Sequence, residues 1–377
     1  MQNQITRRRL LASAGGMGMV VLAAPLVVKA NSTEATRFDA VLSSDGIAKN
    51  GVPGYRSLSE AIAAAPADVS RPWRILVPVG EWRERVVVTR PNVHLVGADR
   101  KGSRLVSNAS RRDRRPGEPA TATLLVRAPD FQAANMTIAN DFDYVGNIPA
   151  EVTFDRTGAS GAQAQAIMLD AGSDRAVFDR VDITGYQDTL WAEVGRALFR
   201  QCLISGCVDF IYGASRSLFD RCTIVSRLRP GKDFNGFIAA PDTDIRQPYG
   251  LIFIGCRLEK EKGVAPHTVA LGRPWKHQRK FADGEYADPD AIGQAVYIRC
   301  WMDDHIVPEG WYRMHYYPKG GGMAFIEPEQ ARFFEYASVG PGAGKASPRR
   351  RMLTARQAAT FTPDRILDAW RPELPVD

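Results

Sequence analysis

Apolar and aromatic positions recur along the chain at intervals typical of a stacked-coil protein. Each of five stretches has an aromatic residue, a small or β-branched residue three positions later, and an apolar residue two positions after that. The stretches begin at Phe178, Phe199, Phe219, Phe253 and Tyr297, so the steps between them are 21, 20, 34 and 44 residues. A unit of this length with one short alternating strand predicts a solenoid in which the longer steps contain loop insertions. Helical repeats would need longer amphipathic segments, so we predict an all-β fold, a parallel β-helix.

Two segments near the ends predict short helices that cap the solenoid, because an open coil would expose unpaired backbone groups. The stretch 57–66 starts with a Ser-x-x-Glu capping box, continues as an alanine-rich segment and stops at a proline. The stretch 354–370 contains Thr-x-x-Gln and then Thr-Pro, two further helix starts. We expect one β-helix domain over residues 31–377, with a helical cap at each end.

Residues 1–30 have the pattern of an export signal. A basic head containing Arg7, Arg8 and Arg9 precedes an apolar run diluted by Gly and Ala, and a small residue follows at Ala30. The Thr-Arg-Arg sequence followed by two leucines resembles a twin-arginine signal. An N-terminal membrane anchor is the alternative, although the apolar run is shorter than a typical span. We expect an exported protein, either periplasmic or secreted.

The composition is that of a soluble globular protein, with 45% hydrophobic and 24% charged residues among 377. Removal of residues 1–30 takes away four basic and no acidic side chains, so the net charge falls from +7 to +3. The remaining chain has no basic stripe with interleaved aromatic residues, which argues against nucleic acid as a partner. The basic stretch 111–119 is interpreted as a solvated loop.

Four of the five cysteines occupy the small-residue position of the repeat. They are Cys202, Cys222, Cys256 and Cys300, and this position predicts small buried side chains. Cys202 and Cys222 fall on adjacent coils, a separation compatible with a disulfide in an exported protein. No Cys-x-x-Cys pair or Cys/His cluster indicates a metal site, so we expect none.

Carboxylates and amides repeat at a spacing close to one coil. Gln165, Gln187 and Asp209 are separated by 22 residues each, and Asp188 follows Gln187. Because neighbouring coils lie about 4.8 Å apart, this spacing predicts one patch of two amides and two carboxylates on the solenoid wall. Asp209 lies among Val208, Phe210 and Ile211, where an unpaired carboxylate is costly.

Such a patch suits ester chemistry. Of two adjacent carboxylates one tends to keep its proton and act as an acid while the other attacks, and amide N–H groups can stabilise an oxyanion. Arg273 can orient the ionised carboxylate in a fixed fork. Trp191, Tyr212 and Trp275 are candidate platforms for sugar rings, flat apolar faces with polar edges.

At these residues the chain resembles the pectin methylesterases, carbohydrate esterases with a single-stranded right-handed parallel β-helix. Four motifs match in order and at similar spacing: QAIML (165–169), GYQDTLW (185–191), GCVDFIYG (206–213) and LGRPW (271–275). Segments 281–306 and 333–343 resemble the bacterial branch in particular. The similarity runs from about residue 38 to the C-terminus.

The resemblance implies a role for each residue of the patch. Asp209 would be the nucleophile that attacks the methyl-ester carbonyl of a galacturonate unit. Asp188 would protonate the departing methanol and then activate the water that hydrolyses the acyl-enzyme. Gln165 and Gln187 would hold the oxyanion, and Arg273 would orient Asp209.

The resemblance also implies a sugar-binding groove lined by Trp191, Tyr212, Trp275 and Met314, in a chain that needs no cofactor or metal. Trp191 stands where the family usually has Tyr, which affects substrate grip rather than the chemistry. The expected partner is methyl-esterified homogalacturonan, with no nucleic acid, no membrane contact of the mature chain, and a monomeric state.

Other functions remain compatible with parts of the sequence. A polysaccharide lyase shares the architecture but would want a calcium-binding carboxylate cluster and a basic proton abstractor. A β-helix esterase or thioesterase acting on a non-pectin ester would carry the same patch, because specificity lies in the loops. A non-catalytic glycan-binding β-helix is the alternative from another class. A serine esterase is disfavoured because no Gly-x-Ser-x-Gly elbow occurs.

Overall fold

The chain is a parallel β-helix built from three sheets that run along its length. The computed structural model describes residues 37–114, 121–147 and 161–374, so the predicted export signal at 1–30 lies outside the described residues. Within these ranges the three sheets have 11, 8 and 7 strands, and all strand pairs inside them are parallel. Each coil contributes one strand to each sheet in turn, as the repeat predicted.

The strands are numbered in chain order. The first sheet contains β1 (Ala40–Leu42), β2 (Gly54–Tyr55), β3 (Trp73–Val77), β6 (Val93–Gly97), β9 (Gln132–Ala134), β12 (Ala176–Asp179), β15 (Arg196–Arg200), β18 (Arg216–Asp220), β21 (Leu251–Ile254), β26 (Gln294–Ile298) and β30 (Arg332–Tyr336). The second sheet contains β4 (Gly80–Arg83), β7 (Ser103–Ser107), β10 (Thr137–Asn140), β13 (Asp182–Thr184), β16 (Leu203–Gly206), β19 (Thr223–Ser226), β22 (Arg257–Lys260) and β27 (Trp301–Met302).

The third sheet contains β5 (Val86–Val88), β8 (Leu124–Val126), β11 (Ile167–Leu169), β14 (Leu190–Ala192), β17 (Val208–Gly213), β20 (Gly236–Pro241) and β23 (Val269–Gly272). Two antiparallel hairpins project beside it, β24 (Gln278–Phe281) with β25 (Gly284–Ala287) and β28 (Met314–Tyr316) with β29 (Ala324–Ile326). The helices are α1 (Leu58–Ala63), α2 (Tyr144–Asn147), α3 (Ala355–Ala358) and α4 (Pro363–Ile366), with 3-10 turns at Arg111–Asp113 and Pro328–Gln330.

The aromatic residues of the repeat form one continuous stack inside the coil. The ring centroids of Phe178, Phe199, Phe219, Phe253 and Tyr297 are separated by 4.9, 4.8, 4.5 and 4.4 Å along the series. All five rings are fully buried. The rings follow the strand spacing because each aromatic residue is paired in register with the next one in the first sheet.

The repeat also contains the corner between the first and second sheets. Two positions after each aromatic residue lies a residue with φ between 50° and 62°, in the left-handed region: Arg180, Gln201, Arg221, Gly255 and Arg299. A left-handed residue turns the chain sharply without breaking the coil. The polar side chains at most of these corners lie outside the core, which is why the repeat shows no apolar residue there.

The cysteines follow the corners as a ladder of free, buried thiols. Cys202, Cys222 and Cys256 each donate to the backbone carbonyl of the aromatic residue one coil earlier, at a sulfur–oxygen distance of 3.3 Å, and Cys300 does so at 3.6 Å. The disulfide considered for Cys202 and Cys222 is absent, because both thiols are free. The prediction of small buried side chains is confirmed.

The two predicted caps differ in position. Helix α1 packs Leu58, Ala61 and Ile62 into the main core at the first coil, and the Ser57 hydroxyl accepts from the Glu60 amide at 3.1 Å. Helices α3 and α4 start at Thr354 and Thr362 as predicted.

However, α3 and α4 lie along the outer face of the first sheet rather than over the end of the coil. Ile366 and Leu367 join an apolar cluster with Leu218, Ile252 and Val296. The apolar outer face of these strands attracts the C-terminal segment, and Arg216 fixes it by donating to the Ile366 carbonyl at 3.0 Å. None of the helices in the described part of the chain is long and apolar enough to cross a membrane.

Candidate active site

A groove of about 1010 Å³ lies on the outer face of the third sheet, between the two hairpins and the loop after β7. It brings together every site residue predicted from the sequence: Gln165, Gln187, Asp188, Trp191, Asp209, Tyr212, Arg273, Trp275 and Met314. The first eight lie on or beside β11, β14, β17 and β23, while Met314 comes from the hairpin strand β28.

The register of the third sheet differs by one residue from the one that the 22-residue spacing suggested. Ile167 pairs with Leu190 and Leu190 with Ile211, so successive coils are offset by 23 and then 21 residues. Gln165, Asp188 and Asp209 therefore occupy equivalent positions on three coils. Gln187 stands one residue earlier, in a bridge with Val208.

The two carboxylates are displayed by a local kink of the backbone. Asp188 and Asp209 have φ values of 62° and 48°, in the left-handed region that aspartate tolerates better than most residues. At Asp209 the pairing of β17 with β20 is irregular, and Phe210 and Ile211 both enter the core. The bulge breaks strand alternation, so Asp209 and Tyr212 both face the groove.

Asp209 is buried and held by a two-pronged ion pair. Arg273 donates from Nε to Oδ1 at 2.8 Å and from Nη2 to Oδ2 at 2.5 Å. The guanidinium itself is 2% exposed and lies 4.0 Å above the ring centre of Phe237. Both charges are thus fixed in direction, which leaves the carboxylate ionised and oriented.

Asp188 is the other half of the pair and has the opposite tendency. Burial and the neighbouring Asp209 charge raise the pKa of Asp188 well above its usual range, against the weaker effects of Arg273 and Arg111. Burial, together with the Asp188 charge, also raises the pKa of the Tyr212 hydroxyl. Of the two carboxyl groups, Asp188 is the one disposed to carry a proton.

The two amides frame the same space. Gln165 accepts from the Thr121 hydroxyl and donates from Nε2 to the Tyr212 hydroxyl, both at 2.9 Å. Gln187 is 2% exposed, and its buried side-chain oxygen has no hydrogen-bond partner within the described ranges. Its amide nitrogen is therefore the end that can donate into the groove.

The aromatic side chains form one wall beside the carboxylates. The rings of Trp191 and Tyr212 stack with centroids 5.2 Å apart, and Trp275 meets them edge-on at 6.4 and 5.5 Å. Trp191 and Trp275 are partly exposed, whereas Tyr212 is buried. Exposed ring faces next to polar edges are suited to the apolar faces of sugars.

Several groove residues were not predicted. Arg111 and Arg114 are exposed, as expected of a solvated loop, but they also border the groove; residues 115–119 of that loop fall among those not described. Lys276, His277 and His315 come from segments next to the hairpins. No local pattern marks them, because hairpin geometry rather than the coil period brings them to the site.

Fold and groove together define the class: a parallel β-helix enzyme that combines an oriented carboxylate, a carboxyl group of raised pKa and aromatic sugar platforms. Comparison with known proteins agrees. The Pectinesterase family model matches residues 45–369. Pectinesterase A of Dickeya dadantii (strain 3937) is 39% identical over 369 residues, which cover 94% of this chain and 98% of that protein.

Solved structures match in the same way. The pectin methylesterase PemA from Erwinia chrysanthemi superposes with a TM-score of 0.81 at 38% identity, over 90% of this chain and 99% of that one. A pectin methylesterase in complex with hexasaccharide VII gives 0.82 with the same identity and coverage. The chain belongs to the pectinesterase family. The predicted right-handed parallel β-helix and the esterase class are confirmed.

Proposed function

We propose that this protein demethylates methyl-esterified polygalacturonate, releasing methanol, with Asp209 as nucleophile. The pairing of an oriented Asp209 with Asp188, whose pKa is raised, carries the proposal. The family relationship and the oligosaccharide complex of a similar enzyme support the substrate class. Arg111, Arg114 and Lys276 border the groove and suit a polyanionic chain.

In the first half of the reaction, an Asp209 oxygen attacks the carbonyl carbon of the methyl ester. The negative charge that develops on the carbonyl oxygen is stabilised by N–H groups of Gln165 and Gln187. As the tetrahedral intermediate collapses, the bond to the methoxy oxygen breaks and Asp188 donates its proton, so methanol leaves. The sugar acid remains joined to Asp209 as an acyl-enzyme.

In the second half, the now ionised Asp188 accepts a proton from water. The oxygen of that water attacks the acyl carbon, the bond to Asp209 breaks, and the galacturonate carboxylate leaves. Asp209 is restored as a carboxylate beside Arg273, and Asp188 has regained its proton. Trp191, Tyr212, Trp275 and Met314 hold the neighbouring sugar rings through stacking and apolar contact.

The remaining parts of the proposal concern the cell. We infer export through the twin-arginine signal at residues 1–30, removal of that segment, and a monomeric mature β-helix over 31–377 that acts on pectin outside the cytoplasm. Polymeric pectin is an extracellular material too large to enter the cytoplasm, which supports this placement. The mature chain is expected to bind neither nucleic acid nor membranes.

The direct test is methanol release from highly methylated pectin by the purified mature protein. We expect methanol and free carboxyl groups to appear in equal amounts. Unsaturated product absorbing in the ultraviolet, without methanol, would instead identify a lyase. Turnover confined to other esters or thioesters would place the substrate elsewhere, and sugar binding without turnover would leave a binding protein.

Asp188 should limit stability above the ordinary aspartate pKa. Its folded-state pKa is raised, so the wild-type protein loses stability as the pH rises from about 4 toward that raised value. Asp188→Asn removes this loss while abolishing activity. We expect the variant to have the higher Tm at pH 7 and the same Tm as the wild type near pH 4, measured by differential scanning fluorimetry.

Asp174→Asn is the matched control of opposite sign. Although burial acts to raise the pKa of Asp174, hydrogen bonds and the charge of Arg196 lower it overall. The stability that Asp174 contributes is therefore present at pH 7 and lost as the pH falls. This variant should melt below the wild type at pH 7. Equal melting of the two variants at pH 7 would contradict the electrostatic assignment.

A further inference from the structure

Three potential metal ligands converge behind the aromatic wall of the groove. Glu193 follows β14, Asp242 follows β20 and His277 precedes β24. One ligand atom from each lies within 4.8 Å of the other two, which makes this trio a candidate metal site among the described residues. The side chains are 10%, 0% and 30% exposed, respectively.

The separations within the trio suit shared coordination better than hydrogen bonding. His277 Nδ1 lies 3.5 Å from Glu193 Oε1 and 3.9 Å from Asp242 Oδ2. Both distances exceed that of a normal N–H···O bond. Two ligands that bind one ion at 2.0–2.2 Å in tetrahedral geometry lie about 3.4–3.8 Å apart. An imidazole with two carboxylates is a donor set that zinc accepts.

Asp242 supplies an independent reason to expect a ligand. Its side chain is completely buried, and neither carboxylate oxygen has a hydrogen-bond partner within residues 37–114, 121–147 and 161–374. Burial and the nearby Glu193 carboxylate raise the pKa of Asp242 well above the usual range. An acidic group buried without hydrogen bonds is costly, and a bound cation removes that cost.

We propose that Glu193, Asp242 and His277 bind a divalent transition-metal ion of the zinc type, with the fourth position left for water. The site is separate from the ester chemistry, because none of the three touches Asp209 or Arg273 through a hydrogen bond. It adds a ligand to the protein that the esterase mechanism does not require.

Arg279 is the competing cation. Its Nη2 lies 3.2 Å from Glu193 Oε1 and 3.8 Å from Asp242 Oδ2, while its Nε lies 3.1 Å from Asp288 Oδ2. The side chain is 42% exposed, so it can swing out and keep Asp288 as its partner. Metal binding must displace one of these contacts, and loss of Arg279 should therefore strengthen it.

The ion would connect to the groove through the tryptophans. Glu193 uses its other oxygen, Oε2, to accept from Trp191 Nε1 at 2.9 Å. His277 stacks on Trp275 with ring centroids 4.6 Å apart. One bound ion would thus fix the supports of both tryptophans, which predicts that metal binding raises the Tm and changes tryptophan fluorescence.

The experiment uses the untagged mature protein, freed of metal by chelation, loaded with Zn²⁺ and passed through a desalting column. We expect about one zinc ion per chain by plasma mass spectrometry, together with a raised Tm. Asp242→Asn and His277→Gln should each weaken zinc binding at least about 100-fold in competition with a chromophoric chelator. Arg279→Gln should bind zinc more tightly than the wild type.

The variants also separate binding from folding. His277 is partly exposed, so His277→Gln should fold even where Asp242→Asn is destabilised, and circular dichroism checks both. No zinc retained by the wild type and Arg279→Gln proteins would overturn the proposal, as would equal affinity of wild type and His277→Gln. Because the readout is metal content, the result is independent of the esterase activity.

Discussion

Asp209→Asn is expected to lower kcat for methanol release from methylated pectin by at least about 10³-fold. The asparagine amide has nearly the shape of the carboxylate but no charge with which to attack an ester carbonyl. The aromatic wall and the amides stay in place, so substrate binding should persist. The measurement is methanol release over a range of pectin concentrations, with binding to the variant followed by tryptophan fluorescence.

Asp179→Asn is the matched control for this loss. Asp179 is a completely buried aspartate at the end of β12, where Arg200 Nε donates to it at 2.5 Å. Its replacement also leaves a buried arginine beside a neutral partner, but away from the groove. This variant should lose stability and keep its kcat. Release of methanol at the wild-type rate by Asp209→Asn would mean that another group attacks the ester.

The second large effect is expected at Arg273. Arg273→Lys keeps a positive charge but cannot hold both oxygens of Asp209 in a fixed fork. We expect kcat to fall about 10²-fold through misplacement of the carboxylate, with little change in KM. Arg273→Ala leaves the buried carboxylate without a partner and should lower the free energy of unfolding by about 3–5 kcal/mol. Urea denaturation and methanol kinetics measure the two effects.

The chain contains a second buried arginine–carboxylate pair that serves as control. Arg350 donates to Glu335 from Nε at 2.7 Å and from Nη2 at 3.0 Å, and the two side chains are 0% and 1% exposed. Arg350→Lys and Arg350→Ala should destabilise the protein without a comparable change in kcat. An equal loss of kcat in both arginine series would reduce the role of Arg273 to general stability.

The coil and its contents could be predicted because the period reports directly on stacking. The aromatic positions at Phe178, Phe199 and Phe219 lie at nearly equal steps, and the structure stacks them. The same period placed the carboxylates in one groove. It missed the true alignment by one residue, because the bulge at Asp209 inserts a position that a constant step of 22 does not contain.

Other features could not be predicted, because they depend on contacts between distant parts of the chain. The outer face of β18 and β21 is apolar, but nothing local identifies Ile366 and Leu367 as its cover. The trio of Glu193, Asp242 and His277 spans three separate loops, so neither a Cys/His pattern nor a helical spacing marks it. Arg111 and Arg114 likewise reach the groove through a loop between coils.

The left-handed corners have a consequence for how this protein can diversify. Between equivalent corners the chain grows from 20 residues to 44, yet the rings beside those corners stay 4.4–4.9 Å apart. Loop length and core spacing are therefore uncoupled. Segments such as the β24–β25 hairpin can be exchanged or lengthened as modules while the reaction centre keeps its dimensions. New substrate preferences are thus accessible by grafting loops, without redesign of the core.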